Sequence, residues 1–246
     1  MRSVWPVMLL FVVLAASAEY EPRPGLEILI YGATGDVGMH IVDEALARGH
    51  LVTAVSRDPS RITKRHPKLA AVAGDLLDPG SIRELVNGKD VVVTSVRGVI
   101  GDDKDPRKAL QYLAVVNVVE QLRVLGEDAG RLVHVGGAGS LEIGEGRLFA
   151  DRLPRLFLPK KLELEIEGQI LALEYLRAVA DVDWSYATPP RNFTNGDRTG
   201  NFRVGGDRLM EDERGRSRIS RADFAVAVLD EIELETHTGR RFSVAY

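Results

Sequence analysis

Three glycines stand three residues apart in the run Ile28-Leu29-Ile30-Tyr31-Gly32-Ala33-Thr34-Gly35-Asp36-Val37-Gly38. An apolar strand leading into such a turn, followed by a helix, builds a cradle for a pyrophosphate. Gly32 allows the tight turn, Gly35 lets the backbone come close to the phosphates, and Gly38 lets the new helix pack on the strand. Thr34, Asp36 and Val37 fill the turn. The helix N-terminus behind them offers free N–H groups and the positive end of its dipole. A plain strand–turn–helix carries glycines too. The context on both sides favours a bound dinucleotide.

Further candidates follow the ends of the later apolar runs. Leu51 to Ser56 is followed by Arg57 and Asp58. An Asp or Glu at this place accepts from both ribose hydroxyls of NAD. Ser56 and Arg57 instead suit a 2′-phosphate, through a hydroxyl and a planar guanidinium, so NADP is expected, with NAD kept open by Asp58. Asp75 and Leu76 lie where an adenine edge would sit, and Asp75 either accepts from the adenine amine or caps a turn. Ser95 and Arg97 follow the fourth run, and Gly136 follows the fifth. Ser140 is the candidate catalytic hydroxyl, placed to donate to an acceptor ring, or else a turn hydroxyl. Thr188 and Pro189 fall where a nicotinamide carboxamide would lie. Arg191 and Asn192 either reach an anionic ligand or are solvated. His134, inside a strand, reads as a satisfied core histidine. The five histidines are scattered and suggest no metal site.

The elements that must position these residues alternate as strand and helix. The expected strands are 26–31, 51–56, 69–73, 90–96, 131–135 and 183–187. The expected helices are 37–48, 59–65, 79–86, 107–125 and 161–179. Alternation of this kind argues for a doubly wound parallel sheet of α/β class. After Pro190 the pattern changes. Residues 202–209 read as two short strands around Gly205-Gly206. Ser220 to Asp223 reads as a capping box opening a helix to 234, and 241–245 as a last strand. The expected organisation is a single domain over 26–246, with 190–246 as a smaller portion on the substrate side.

The chain has 246 residues, a net charge of −4 and no cysteine. That excludes disulfides and thiolate chemistry, and the scattered charge gives no sign of nucleic-acid binding. Residues 1–18 have the order of a secretory signal peptide: Arg2, an apolar run from Val4 to Ala15, then Ala16-Ser17-Ala18. Residues 19–25 are a short lead-in. The expectation is export, with no stable membrane span once the signal is removed. The alternative is a cytoplasmic protein whose apolar N-terminus is not a signal. A monomer or homodimer is expected.

The glycine run, the Arg after strand two and Gly74-Asp75-Leu76 resemble the atypical short-chain dehydrogenase/reductases. Within them the chain is similar to the NmrA-like and biliverdin-reductase-B-like group. The stretches 135–142, 196–203 and 240–246 resemble bacterial proteins labelled NADH-flavin reductases. The resemblance covers the chain after Gly25 and implies a Rossmann fold and an NAD(P) site. One departure matters: no tyrosine has a lysine four residues on, and Phe157 to Lys161 keeps the spacing without the hydroxyl. Alcohol dehydrogenation through a Tyr-Lys pair is therefore not expected. Hydride transfer to a flavin-like or quinone-like acceptor needs orientation and a proton from solvent. The alternative is a non-catalytic NAD(P) sensor. A sugar-nucleotide or isomerase-type enzyme is the third option. Export sits badly with all three, because NAD(P)H does not cross membranes.

Overall fold

The computed structural model describes residues 23, 25–101, 104–154 and 157–246. The segment read as a signal peptide, and the lead-in apart from Arg23 and Gly25, lie outside the described residues. Among the described residues no helix is long and apolar enough to cross a membrane.

Among the described residues, ten strands and five α-helices follow one another. The strands are β1 (Glu27–Tyr31), β2 (Leu51–Ser56), β3 (Leu69–Ala73), β4 (Val91–Thr94), β5 (Arg131–Val135), β6 (Trp184–Thr188), β7 (Asn192–Thr194), β8 (Arg203–Gly205), β9 (Arg218–Ser220) and β10 (Arg240–Ala245). The helices are α1 (Gly38–Ala47), α2 (Pro79–Val86), α3 (Leu110–Leu125), α4 (Lys160–Arg177) and α5 (Arg221–Leu234). The main sheet runs β3-β2-β1-β4-β5-β6-β10-β8, and all its pairings are parallel except β10 with β8. β7 and β9 form a separate parallel pair.

Sequence period explains the two-layered core. In β1, Ile28 and Ile30 turn to one side, where α1 and α5 pack; Leu29 and Tyr31 turn to the other, against α2, α3 and α4. The same alternation splits Val91 and Val93 from Val92, and Val133 and Val135 from Leu132. Strands covered on both faces need apolar residues at every position, which is why they read as continuous runs. Asp78 starts α2, accepting from Gly80 N at 2.9 Å with Pro79 behind it.

The structure corrects the pattern reading at several places. The helix expected from Arg107 starts at Leu110, after a 3₁₀ turn over Pro106–Lys108 capped by Asp105. The short helix at 59–65 shrinks to a 3₁₀ turn over Pro59–Arg61. Residues 202–209 form no hairpin: β8 pairs with β10, and Arg208 bridges to Glu142. Long-range pairing beats the local Gly-Gly turn signal here. Of the C-terminal portion, α5 and β10 belong to the main layers, while β7, β9 and their loops stand over the strand ends. Ser220 caps α5 by accepting from Asp223 N at 3.0 Å, but Ser220 N donates to the Tyr246 hydroxyl instead of to Asp223. The Asp223 carboxylate accepts from Thr199 N, Thr199 Oγ1, Gly200 N and the Tyr246 hydroxyl, and so ties down the 197–200 loop.

Candidate functional site

The chain winds one way from β1 to β2 and the other way beyond β4, so the loops after β1 and β4 part at the carboxyl ends of these strands. An open α/β sheet places its ligand crevice at such a point. Gly32 has φ +80, and a Cβ there would lie 2.0 Å from the Ser95 carbonyl oxygen. Gly35 N donates to Gly32 O at 2.9 Å, closing the turn. A Cβ on Gly38 would lie 2.1 Å from the same Gly32 oxygen. The first turn of α1 therefore presses on the loop in a way only glycine permits. No side chain caps α1, and its first turn holds no acidic residue. Its leading N–H groups are left for a ligand, with the positive helix end behind them. These features fit a dinucleotide's diphosphate.

Two cavities flank the loop. The first, of about 460 Å³, is lined by Tyr31, Gly32, Thr34, Gly35, Ser56, Arg57, Asp58, Arg61, Leu76 and Leu77, among others. The second, of about 570 Å³, is lined by Asp36, Val37, Gln111, Gly136 to Gly139, Phe149, Ile166, Gln169, Pro189, Phe193 and Arg221, among others. Gly35, Ser95, Val96 and Arg97 line both, so the two join across the switch point. One end suits an adenosine, and the other opens into an apolar hollow of ligand size.

Most of the sequence-predicted residues lie on this trough, but five do not face it, one of them Asn192, which is exposed and lines neither cavity. Gly38 lies beneath the loop as a packing contact. Asp75 is exposed beside the first cavity, and its Oδ1 accepts from Leu77 N at 2.9 Å; the lining there falls to Leu76 and Leu77. Of the two readings of Asp75, the turn cap is present and uses Oδ1. Thr188 is fully buried, its hydroxyl without a partner among the described residues, and only Pro189 reaches the cavity. Ser140 is the main correction. It is 3% exposed and does not line the cavity formed by its loop. Its hydroxyl donates to Gly137 O at 2.9 Å and accepts from Arg241 Nη1 at 3.1 Å. The buried Arg241 guanidinium reaches under the loop from β10, so Ser140 holds the loop in place and does not face the cavity.

Asp58 is already engaged: its Oδ1 accepts from Ser60 N at 3.1 Å and from Ser60 Oγ at 2.6 Å. Those bonds hold its carboxyl below the ordinary value. Arg57 and Arg61, both exposed, have no ion pair among the described residues. Arg97 pairs with Glu165 at 3.0 Å on the rim. Arg191 donates to Gly215 O at 3.0 Å, and the Glu211 carboxylate is 3.7 Å away.

No acid or base is poised among the buried groups. His134 bonds Thr94 Oγ1 through Nδ1 at 2.7 Å and Gln169 Oε1 through Nε2 at 3.2 Å. The amide oxygen requires the proton on Nε2, so Nδ1 accepts from the threonine. Burial lowers its pKa to about 4, and the ring stays neutral. Burial pushes the phenols of Tyr31 and Tyr186 well above their usual value, with the Asp75 charge adding to the effect at Tyr31. Tyr186 Oη lies 2.8 Å from Gln169 O.

Sequence reasoning missed Tyr31, Arg61, Gln111, Gln169, Phe149, Phe193 and Arg221. The walls of the second cavity come from α3, which bears Gln111, and α4, which bears Ile166 and Gln169. These helices meet where a Cβ on Gly168 would lie 2.2 Å from the Ala109 Cβ.

Comparison with known proteins settles the family. The NAD(P)H-binding family matches residues 32–233, from the first loop glycine to the end of α5. The chain belongs to the NAD(P)H-binding family. It is thus an NAD(P)-binding protein of Rossmann type. Three solved structures show how similar this member is to others. A Bacteroides thetaiotaomicron protein named "putative epimerase" is 29% identical, with TM-score 0.79 over 90% of this chain and 97% of its own. A Burkholderia pseudomallei protein named "putative exported protein" is 35% identical, with TM-score 0.75 over 90% and 100%. A Streptococcus pneumoniae protein named "putative NADH-flavin reductase" is 29% identical, with TM-score 0.72 over 90% and 99%.

Proposed function

We propose that this NAD(P)H-binding protein is a reductase that prefers NADPH and passes hydride directly to a flavin-like or quinone-like acceptor. The carrying observation is the join between the two cavities, which sets an apolar hollow of about 570 Å³ beside the glycine loop. The bound nicotinamide supplies the hydride. This chain's residues bind, orient and exclude water: Gly32, Gly35 and the first turn of α1 hold the diphosphate, and Ser56, Arg57 and Arg61 surround the 2′ position. Phe149, Ile166 and Phe193 wall the acceptor side. The acceptor's proton comes from solvent, because burial makes the Tyr31 and Tyr186 phenols weaker acids than usual and keeps His134 neutral. That same lack of a poised acid favours a second reading, a non-catalytic sensor of the nucleotide.

The test is titration of the purified chain with NADPH and NADH by fluorescence, then addition of FMN, riboflavin or a quinone with absorbance followed. Tight NADPH binding with acceptor-dependent oxidation is expected. Binding without oxidation selects the sensor, and no binding overturns both. Arg57→Glu is expected to weaken NADPH roughly 10- to 100-fold and NADH little, since a charge-assisted phosphate contact is lost. An equal effect on both removes the basis for preferring NADPH.

Export is a separate proposal, and it excludes simple NADPH turnover, because NADPH does not cross membranes. It is supported by the order of residues 1–18 and by the name of the Burkholderia relative. The expected product is a chain starting at Glu19 outside the cytoplasm, checked by cell fractionation and N-terminal sequencing. An intact N-terminus in the cytoplasmic fraction overturns it.

A further inference from the structure

Arg221 is the odd cation of this molecule. Its side chain is 21% exposed, at the start of α5, on the wall of the second cavity. The arginines buried more deeply each have a carboxylate in close contact. Arg48 has Glu44, Glu233 and Asp230 at 2.7 to 2.9 Å; Arg131 has Glu231 at 2.8 Å; Arg241 has Asp207 at 2.6 Å. Among the described residues Arg221 has only Asp36 as a carboxylate partner, at 3.8 Å, and that side chain is 85% exposed. A pair that long and that wet offsets little of the desolvation of a guanidinium. Its one close acceptor is the neutral Asn195 Oδ1, at 2.5 Å from Nη1. Its Nε is buried and has no partner among the described residues.

Its surroundings define the missing partner. The guanidinium stands over the Phe193 ring, 5.7 Å from the centroid, within reach of a cation–π contact. Arg191 lines the same wall. Deeper in the cavity, Gln111 is 2% exposed, and its Oε1 has no partner among the described residues. The cavity thus offers an apolar, partly aromatic body, a buried acceptor atom and a cation short of an anion.

We infer that Arg221 anchors a phosphate or carboxylate carried by the acceptor, so that the cavity selects acidic acceptors over neutral ones of the same ring system. This rests on the reading of the second cavity as the acceptor site. The rival source of the same anion is the dinucleotide's own diphosphate, since Asp36 belongs to the glycine loop. Arg221 stands beside Phe193 on the wall assigned to the acceptor, while Gly35, Asp36 and Val37 border the same cavity, so NADP+ affinity is the arm that separates the two anions.

FMN and riboflavin share a ring system and differ by one phosphate, which makes them the probes. Each is equilibrated by dialysis with the full chain saturated with NADP+, so that nothing turns over. The wild type is expected to bind FMN at least roughly tenfold more tightly than riboflavin, the size of a charge-assisted contact. Arg221→Met, which keeps the stem over Phe193, is expected to abolish that preference while leaving riboflavin and NADP+ affinity unchanged. Arg221→Lys is expected to keep part of it. Equal binding of the two flavins by the wild type, or no FMN binding, overturns the inference. So does Arg221→Met weakening both flavins alike, or weakening NADP+, which would assign the residue to the diphosphate. A flavin that binds with the expected preference but is never reduced by NADPH would sink the reductase reading and leave this one standing.

Discussion

Gly32→Ala is expected to abolish useful nucleotide binding, raising the Kd for NADPH and NADH together by about 100-fold or more. Two costs act at this residue. A φ of +80 is unfavourable for any side chain, by about 1–2 kcal/mol. The new Cβ would also sit 2.0 Å from Ser95 O and 2.7 Å from Ser95 C. Those atoms are backbone at the end of β4 and cannot swing aside as a side-chain tip would. Relief requires the mouths of β1 and β4 to part, and that mouth is the floor on which both cavities meet. A stability loss of about 2–4 kcal/mol accompanies the binding loss. Gly88→Ala is the control. It has φ +69 but nothing within 4 Å of a Cβ, so it bears strain without overlap. Its nucleotide affinity should match the wild type by fluorescence titration. If Gly32→Ala binds as well as Gly88→Ala, the loop is not the site.

Glu231→Ala is expected to be the most destabilising change away from the trough. Glu231 is 2% exposed, at the amino ends of β5 and β6. It accepts from Arg131 Nη2 at 2.8 Å, Ser185 Oγ at 2.6 Å, Thr236 Oγ1 at 3.0 Å and His237 N at 3.0 Å. Removing it leaves the 6%-exposed Arg131 without a carboxylate, and Arg131 Nε already lacks a partner among the described residues. Breaking a buried pair from one side costs about 3–5 kcal/mol. For a domain of this size, that lowers Tm by roughly 10 °C. A loss below about 1 kcal/mol in denaturant titration would show the cluster to be stabilisation-neutral. The pH dependence has a definite sign. Burial alone would raise this carboxyl, but bonds from Ser185, Arg131 and His237 hold it below its ordinary 4.5. A depressed carboxyl adds stability that is full above the unfolded value and is lost as pH falls through the folded one. The gap between wild type and variant should be constant from neutral pH down to about 4.5 and narrow below it.

The elements legible in the sequence are those whose information is local. β1, the glycine turn and α1 combine an unbroken apolar run with spaced glycines, and Gly32 and Gly38 have the tight turn and the close helix packing their spacing implied. β4 and β5 are buried on both faces and so read as runs. The unread parts depend on partners far along the chain. Ser140 sits in a glycine loop, which says nothing of an arginine arriving from residue 241 to take its hydroxyl. β8 looked like half of a hairpin because its partner β10 lies 35 or more residues later. Arg221 was hidden by a correct local reading: Ser220 to Asp223 did announce a helix start. A capping pattern assigns Ser220 and Asp223 and leaves the residue after the cap looking like surface. Arg61 and Gln111 carried no motif, since each becomes a lining residue only when its turn or helix is placed beside the sheet.

The contact between Gly168 and Ala109 lies outside the trough and touches nothing that a ligand would touch. It sets how near α4 stands to the start of α3, and those helices carry Ile166, Gln169 and Gln111 into the second cavity. The thickness of molecule that fits between them is therefore gauged by a missing methyl group at a distance. The width of that cavity can be retuned at residues 168 and 109 with every lining side chain kept, so two proteins with identical linings need not hold the same molecule.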